Sequence, residues 1–519
     1  MISDGSRSTI FALSSGRPPA AIAVIRISGP RAGAALEALG LTVPPPRQAK
    51  LARIRDPRSG EIIDEALALW FPGPNSETGE DVAELQAHGG PAVIAGILDA
   101  LAGIDGLRMA EAGEFTRRGF ENGKLDLTAV EGLADLVAAE TEGQRRQAFR
   151  QMKGLLGDRA EAWRQRLIRA QALVEARIDF SDESDVPEDL VGPALAIVQE
   201  LRDEIATALA DGGRGERLRE GLVVAIAGPP NAGKSAILNR LAQREAAIVS
   251  PYAGTTRDVI EVHLDLGGLP MTLLDTAGIR ETDDPVEMEG VRRARERAAG
   301  ADLVLWVTDA TAPEAEPLGL GRPVPVWRVA NKIDLVGGPE MLRSNLGEGR
   351  SRDGRRSAAS HPGAAPRSGH ATVSETDVGT PFGKNELGST ATIDRKSQTG
   401  TYRYKSELEN LFNDETVFTL SAITGAGFSH LLSALFRFAE DSLSGGEQAM
   451  VTRARHRQVL VAVQHILSEA LRCFTSGGGA EEFLAEQLRL AATELGRLTG
   501  RVDVEDILDV IFRDFCIGK

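Results

Sequence analysis

The sequence has few cysteines, no long apolar run and fewer basic than acidic residues. Only Cys473 and Cys516 occur among its 519 residues, which excludes a disulfide framework or a cysteine-rich zinc site and favours a reducing compartment. No apolar run approaches the roughly 20 residues that span a bilayer. The first residues lack a basic start followed by a long apolar stretch, so we expect no signal peptide and a cytoplasmic protein.

The shortage of positive charge limits what the chain can bind. Its 59 Lys and Arg residues and 75 Asp and Glu residues give a formal charge of −16. Neutralising phosphates needs clustered Lys and Arg, so an acidic chain is a poor sequence-independent nucleic-acid binder. RNA would have to be held by a local basic patch or by a basic partner.

The length predicts about three domains of ~150 residues each. Residues 1–123 mix short β-like runs with Gly- and Pro-rich loops, as in an α+β domain. Residues 124–220 and 441–519 carry apolar residues at helical spacing, whereas strands and helices alternate in residues 221–440. We therefore predict a multidomain α/β and α protein, in which an α/β domain is inserted into a discontinuous helical domain.

One segment of the α/β domain has a different composition. Residues 337–413 are rich in Gly, Ser, Thr and Arg and contain few large apolar side chains. Such a segment cannot bury enough surface to offset the entropy of ordering it, so we predict a disordered surface insertion. The alternative is a regulatory or RNA-contacting tail.

A glycine-rich motif follows the first strand of the predicted α/β domain. Residues 228–235 read GPPNAGKS, after the apolar run LVVAIAG and before a helix-like stretch, which is the context that a phosphate-binding loop requires. Glycines let backbone N–H groups approach phosphates, and the helix N-terminus adds partial positive charge. We expect Lys234 to reach the β- and γ-phosphates and Ser235 to bind Mg²⁺.

Three further motifs at strand ends indicate which nucleotide binds. In DTAG, residues 275–278, Asp275 is expected to hold Mg²⁺ through water and the Gly278 amide to contact the γ-phosphate. In NKID, residues 331–334, an Asp carboxylate accepts hydrogen bonds from guanine N–H groups that adenine lacks. SAITG, residues 421–425, supplies backbone amides to the guanine O6, and AGTTRD, residues 253–258, is a switch loop. Together the motifs predict a Ras-like P-loop GTPase domain.

The residue that positions the attacking water is not the usual one. Ras-like GTPases place Gln directly after the DTAG glycine, whereas this chain has Ile279, whose aliphatic side chain cannot orient water. The acidic segment 280–290 follows at once, and sequence spacing alone does not choose among its carboxylates. These are Glu281, Asp283, Asp284, Glu287 and Glu289.

Motifs outside the GTPase domain resemble those of the MnmE (TrmE) family of tRNA-modification GTPases. They are IRISG at 25–29, FPGPNS and TGEDVAELQAHGG within 71–90, GEFTRRGFENGKLDLTAVEGLADL at 113–136, and FCIGK at 515–519. The resemblance covers nearly the whole chain apart from segment 337–413. It implies that residues 1–123 form an α+β domain that binds tetrahydrofolate and dimerises.

The resemblance also implies how GTP is hydrolysed. Members of the family are homodimers whose GTPase domains meet when GTP is bound, and K⁺ takes the place of an arginine finger. Motif matching assigns the K⁺ ligands to Asn231, Ser250, the Tyr252 carbonyl and Thr255. Thr256 is then a second Mg²⁺ ligand beside Ser235. Glu287 is assigned as a catalytic residue because it orients the water, and Lys234 is the other catalytic residue. The predicted GTP contacts are Asn231, Ala232, Gly233, Lys234, Ser235, Ala236, Ser250, Thr255, Thr256, Asp275, Thr276, Ala277, Gly278, Asn331, Lys332, Asp334, Ser421, Ala422 and Ile423.

The family's second ligand is a one-carbon tetrahydrofolate, 5,10-methylene- or 5-formyl-tetrahydrofolate. Motif matching assigns its contacts to Arg26, Glu84, Lys124 and Lys519. With the flavoprotein partner MnmG, in a heterotetramer that contacts tRNA mainly through MnmG, the family adds aminomethyl or carboxymethylaminomethyl groups at C5 of the wobble uridine. A lone Cys such as Cys516 is usually a small buried hydrophobe, although its place in FCIGK favours a role near the folate.

The chain departs from the family at Glu77, which stands where an aromatic residue is usual, and in RPPAA at 17–21. Two other function classes stay open at this point. A ribosome-assembly GTPase of the Era or Der type would share the phosphate loop and the K⁺ chemistry, but should carry a basic RNA-binding module. A GTP-gated scaffold would have no part in tRNA modification.

Overall fold

The computed structural model describes residues 8–180, 189–243, 261–275, 300–312, 324–336, 417–475 and 480–502, together with Leu508, Ile511, Phe512 and Gly518. The predicted insertion at 337–413 lies outside these residues. No helix among the described residues is long and apolar enough to cross a membrane.

The N-terminal unit is a six-stranded sheet with two helices packed on one face and a third helix packed on part of the other. Its strand order is β3-β4-β5-β2-β1-β6. Phe11, Ile25 and Leu85 are buried beneath the first two helices, where alternate strand residues form the core. The elements are β1 (Thr9–Leu13), β2 (Ile22–Ser28), α1 (Ala32–Ala38), β3 (Lys50–Arg55), β4 (Ile62–Phe71), β5 (Val82–His88), α2 (Pro91–Ala102), β6 (Leu107–Met109) and α3 (Glu114–Glu121).

Five helices follow among the described residues before the GTPase unit begins. They are α4 (Leu127–Ala138), α5 (Glu142–Met152), α6 (Gly157–Asp179), α7 (Val191–Ala210) and α8 (Gly212–Glu220). Asp126 begins α4 by accepting a hydrogen bond from the Ala129 N–H. Thr141 and Gln144 begin α5 with a reciprocal capping box.

The GTPase unit is a six-stranded sheet of order β12-β11-β10-β7-β9-β8, parallel except for the β8–β9 pair. Parallel strands bring their carboxyl ends to one edge, where two of the nucleotide motifs follow β7 and β12, and the NKID and DTAG motifs begin at the last residues of β11 and β9. The elements are β7 (Leu222–Ala227), α9 (Lys234–Ala242), β8 (Glu261–Leu266), β9 (Leu269–Asp275), β10 (Leu303–Asp309), β11 (Val326–Asn331), a 3₁₀ turn (Ile333–Leu335), β12 (Val417–Thr419) and α10 (Phe428–Leu443).

The helical unit resumes after the sheet, as an inserted GTPase domain requires. A 3₁₀ turn (Gly446–Gln448) leads into α11 (Ala454–Thr475) and α12 (Glu481–Thr499). These two helices share one core with α6 and α7, to which Trp163, Val198, Leu460 and Leu488 contribute. The predicted fold class is therefore confirmed. The predicted boundary at residue 440 falls inside α10, whose last residue packs in the core of the sheet.

Candidate functional site

The phosphate-binding loop depends on two glycines. Gly228 has φ 143°, and a Cβ there would collide with the Val307 carbonyl oxygen. Gly233 has φ 92°, and a Cβ there would collide with the Asn331 amide. Asn231 adopts the left-handed conformation at φ 62° between them. The turn therefore has no room for side chains at either glycine.

Lys234 and Ser235 lie where this loop becomes α9. The Lys234 ammonium donates to the carbonyl oxygens of Gly228 and Pro229, both at 2.9 Å, so it lies across the loop. The Ser235 hydroxyl donates to Asp275 Oδ2 at 2.8 Å. This contact joins the first turn of α9 to the last residue of β9.

The donor set beside Ser235 fits a magnesium ion. Asp275 is buried, and its Oδ1 has no hydrogen-bond partner within the described residues. A buried carboxylate oxygen without a partner is costly, and a hydrated cation would remove that cost. A hydroxyl and a carboxylate are the hard oxygen ligands that Mg²⁺ prefers.

Asn331 connects the phosphate loop to the guanine loops. Its side chain is 2% exposed. Its Nδ2 donates to the Ala232 carbonyl at 2.8 Å, and its Oδ1 accepts from the Ala422 N–H at 3.0 Å. The side chain thus holds three motifs together, a role that the prediction of a GTP contact did not include.

Lys332 and Asp334, from the same NKID motif, have different environments. Lys332 has φ 67°, and its ammonium donates to Asp309 Oδ2 at 2.6 Å. That hydrogen bond lowers the pKa of Asp309 to about 2, so the ion pair is intact at neutral pH. Asp334 lies on the 3₁₀ turn and is exposed, which leaves its carboxylate accessible to a guanine base.

Of the three predicted base contacts in the SAITG loop at 421–425, one has a backbone N–H without a hydrogen-bond partner among the described residues. The Ser421 N–H donates to the Ala426 carbonyl, and the Ala422 N–H is used by Asn331. The Ile423 N–H has no partner among the described residues, and its side chain is 78% exposed. Of the three predicted loop contacts, Ile423 therefore has the backbone amide that can reach guanine O6.

Sequence reasoning missed Arg240 on α9. Its Nη1 donates to the carbonyl oxygens of Ala422 at 2.9 Å and Ile423 at 2.7 Å. Its guanidinium also lies 5.7 Å from the centre of the Phe428 ring. Arg240 fixes the SAITG loop, and no motif marks it, because its partners are about 180 residues away in the chain.

The remaining predicted contacts of this site lie outside the described residues. They are Ser250, Tyr252, Thr255, Thr256, Thr276, Ala277, Gly278 and the catalytic candidate Glu287. Of the predicted K⁺ ligands, only Asn231 is described, and it is exposed.

A second charged cluster lies on the face of the N-terminal sheet that packs against α3. Arg26 on β2 stands opposite Glu84 on β5, and its Nε and Nη2 contact Glu84 Oε1 at 3.0 and 2.9 Å. Its Nη1 contacts Glu77 Oε2 at 2.6 Å, so the departure from the family's aromatic residue supplies an ion pair. Glu84 Oε2 has no hydrogen bond to a described residue and can accept one from a ligand.

Of the other predicted folate contacts, Lys124 is exposed just after α3, whereas Lys519 lies outside the described residues, as does Cys516. Gly518 nevertheless contacts the N-terminal sheet. Its carbonyl accepts a hydrogen bond from the Ser14 hydroxyl at 2.7 Å. Gly518 is thus held next to β1, the strand that pairs with β2.

Comparison with known proteins covers nearly the whole chain. Residues 9–124 match the family model described as GTP-binding protein TrmE N-terminus, and residues 127–516 match that of the MnmE helical domain. The chain is 51% identical over 511 residues to the tRNA modification GTPase MnmE of Bradyrhizobium sp. strain BTAi1, covering 98% of this chain and 99% of that protein. It is 51% identical over 516 residues to the MnmE of Rhodopseudomonas palustris strain BisB5 and 50% over 514 residues to that of strain CGA009, each covering 99% of both chains. The chain with this GTP site therefore belongs to the MnmE family of tRNA modification GTPases and is a GTP hydrolase.

Proposed function

We propose that this chain is the GTP-hydrolysing component of an enzyme that modifies the wobble uridine of certain tRNAs in the cytoplasm. With the flavoprotein MnmG, it would add an aminomethyl or carboxymethylaminomethyl group at C5, using the one-carbon unit of a tetrahydrofolate. The observation that carries the proposal is that one chain combines a GTP site with the separate Arg26–Glu84 cluster on β2 and β5, while Gly518 is held at the end of β1, the strand that pairs with β2. The match of the whole chain to MnmE proteins favours this function over ribosome assembly.

The GTP site suggests how metal ions take part. Ser235 and Thr256 would bind Mg²⁺, and the buried Asp275 would hold it through water, which accounts for the unpartnered Oδ1. Asn231, Ser250, Tyr252 and Thr255 would bind K⁺ where two GTPase domains meet in a homodimer. K⁺ would there offset the negative charge that develops on the phosphates.

Hydrolysis needs a group that positions water, and Ile279 cannot supply it. Glu287 is our candidate for that role. GTP binding would close the two GTPase domains on each other and hydrolysis would release them, so that GTP drives conformational change and not bond formation on the base. MnmG would carry most of the tRNA contact, since this chain has a formal charge of −16.

The hydrolytic part of the proposal is tested by measuring GTP turnover in Mg²⁺ with K⁺ and then with Na⁺. We expect strong stimulation by K⁺ alone. Glu287→Ala should lose at least 100-fold in turnover with GTP binding kept, as expected for a group that acts on the reacting water. Glu289→Ala in the same acidic segment is the matched control. Equal rates in both salts would remove the role of K⁺.

The modification part is tested in cells. Deleting the gene and measuring tRNA nucleosides by mass spectrometry should show loss of the C5-modified wobble uridine. An unchanged nucleoside profile would refute the tRNA-modifying role and leave only the GTPase.

A further inference from the structure

Helix α5 has two unlike faces. Gly143, Gln147, Ala148 and Gln151 are buried. The Gln147 side-chain amide donates to the Gly215 carbonyl at 3.0 Å and to the Gly446 carbonyl at 2.8 Å. One face of α5 is therefore fixed against α8 and the 3₁₀ turn that precedes α11, and the other face meets solvent.

The solvent face carries a row of cations around one aromatic ring. Arg145, Arg146, Phe149, Arg150 and Lys153 are all exposed, and their spacing of three to four residues places them on one side of the helix. The Phe149 side chain is 43% exposed, with the Lys153 ammonium 5.7 Å from its ring centre. We call these five residues the α5 basic stripe.

Nearby carboxylates neutralise only part of this charge. Arg145 and Arg146 share the single carboxylate of Glu142, and Arg146 lies 3.6 Å from Glu447. Four cations against two carboxylates leave a local charge of about +2 on a chain whose total is −16. Each guanidinium has five N–H donors, so donors remain after these contacts.

We infer that the α5 basic stripe contacts the phosphate backbone of tRNA, with Phe149 offering a surface on which an unpaired base can stack. Guanidinium groups match phosphate geometry in pairs of hydrogen bonds, and a base stacks on an exposed aromatic ring whatever its sequence. This inference rests on the proposed function. It identifies the part of this chain that touches the tRNA, while MnmG carries the rest.

RNA fits the stripe better than a membrane does. A helix that lies on a membrane needs a broad apolar face to insert. Phe149 is the one large apolar side chain of the stripe, and the opposite face of α5 is buried in the protein. A single ring among four cations is instead the combination that single-stranded RNA binders use.

The stripe also lies next to the GTPase unit. The Gly143 N–H, in the first turn of α5, donates to the Gly268 carbonyl at 2.9 Å, and Gly268 precedes β9, which ends at Asp275. The β8–β9 hairpin thus connects the helix that carries the stripe to the nucleotide site.

The test measures binding of a fluorescent, unmodified tRNA transcript to the full-length protein by anisotropy at several KCl concentrations. We expect weak binding in the micromolar range that falls with salt, as for a few phosphate contacts. The triple variant Arg145→Ala, Arg146→Ala, Arg150→Ala should bind at least tenfold more weakly, with a log–log salt slope smaller by about two. Phe149→Ala should bind about fivefold more weakly, and Phe149→Trp should bind as the wild type does.

Matched controls separate the stripe from a general loss of charge. Arg472 and Arg489 are exposed arginines that pair with a Glu three residues earlier on other helices, so Arg472→Ala with Arg489→Ala should change neither tRNA affinity nor basal GTP turnover. Phe483→Ala removes a similarly exposed ring and should also have no effect. Thermal unfolding checks that the triple variant is folded.

Three results would overturn the inference. In the first, the triple variant binds tRNA as the wild type does. In the second, the control arginines weaken binding equally. In the third, the stripe determines binding to phosphatidylserine vesicles and not to tRNA. The nucleoside profile of the deletion strain tests the proposed function separately, so the two can fail independently.

Discussion

At the residue scale, two residues of the NKID motif differ in their exposure to solvent. Asn331 is buried between loops, whereas Asp334, three residues later, is exposed. The buried amide joins three loops, and the exposed carboxylate is accessible to a ligand. Substitutions at these two positions should therefore have different consequences, one mainly for folding of the site and one mainly for nucleotide choice.

We predict that Asp334→Asn changes nucleotide choice without unfolding the protein. The carboxylate would accept two guanine N–H groups, and charge-assisted hydrogen bonds contribute about 1.5–3 kcal/mol each, so GTP affinity should fall at least roughly 100-fold. The new side-chain amide can instead donate to the C2 carbonyl of xanthine, so XTP binding should improve. Titration of fluorescent GTP and XTP measures both, with exposed Glu261→Gln as control. Unchanged GTP affinity would contradict the guanine assignment.

We predict that Arg26→Ala weakens binding of 5-formyl-tetrahydrofolate by about tenfold or more. Arg26 holds Glu84 and Glu77 at once, and removing it frees two carboxylates that then repel an anionic ligand. Arg53→Ala is the control, because Arg53 forms an exposed pair with Glu65 on the same sheet. Calorimetric titration with the folate measures the effect, and equal affinity in both variants would remove Arg26 from the folate site.

Local contacts of the GTP site could be predicted from the sequence, and distant ones could not. The spacing within 228–235 fixes a backbone turn, so the placement of Lys234 and Ser235 follows from the motif itself. Arg240 and Asn331 bond to segments more than 90 residues away, and Glu77 meets Arg26 across the sheet. Such contacts depend on the tertiary fold, which no short pattern encodes.

At the element scale, the β8–β9 hairpin is one contact between the GTPase sheet and the helices. Its Gly268 carbonyl accepts the Gly143 N–H, and His263 on β8 lies 3.4 Å from Glu140. Alternating strands and helices predicted the sheet, because their periodicity is local. The docking of this hairpin on α5 was not predicted, since neither surface has a distinctive sequence.

We predict that Gly143→Ala destabilises the protein by about 1–3 kcal/mol. A Cβ at this position would lie 2.7 Å from the Gly268 carbonyl oxygen, so the hairpin has to move away from α5. Gly213→Ala is the matched control, because nothing lies within 4 Å of a Cβ there and Ala favours helix by up to about 1 kcal/mol. Thermal unfolding compares the two, and a Gly143→Ala protein as stable as the control would show that the hairpin contact is dispensable.

At the scale of the whole molecule, a buried polar cluster joins the helices on either side of the GTPase insertion. Glu131 on α4 accepts from the Arg455 guanidinium, at 3.0 and 2.8 Å, and from His456 Nε2, at 2.6 Å. His456 is fully buried, and its Nδ1 has no partner among the described residues. Inserting a domain between α4 and α11 therefore leaves the two helices bonded to each other.

This cluster predicts that stability falls as the pH falls. Burial lowers the pKa of His456 below its ordinary 6.5, so the folded imidazole stays neutral. Burial opposes ionisation of Glu131, but the hydrogen bonds from His456 and Arg455 and the charge of Arg455 outweigh it and hold the pKa of Glu131 well below 4.5. Both groups therefore bind more protons in the unfolded chain, which destabilises the fold as pH drops below about 6.5, and further below about 4.5.

The unfolding temperature is expected to be constant from pH 8 to about 7 and then to decline. Protonation of His456 in the unfolded chain should lower the free energy of unfolding by up to about 1.4 kcal/mol per pH unit. His456→Gln keeps a side-chain donor for Glu131 but cannot titrate. It should lower stability at pH 8 and reduce the decline between pH 6.5 and 5. Thermal unfolding from pH 8 to 5 of both proteins measures this difference, with exposed His88→Gln as control. If His456→Gln and the wild type decline in parallel, protonation of the buried imidazole does not limit stability, and the junction between α4 and α11 is not the acid-sensitive part of the molecule.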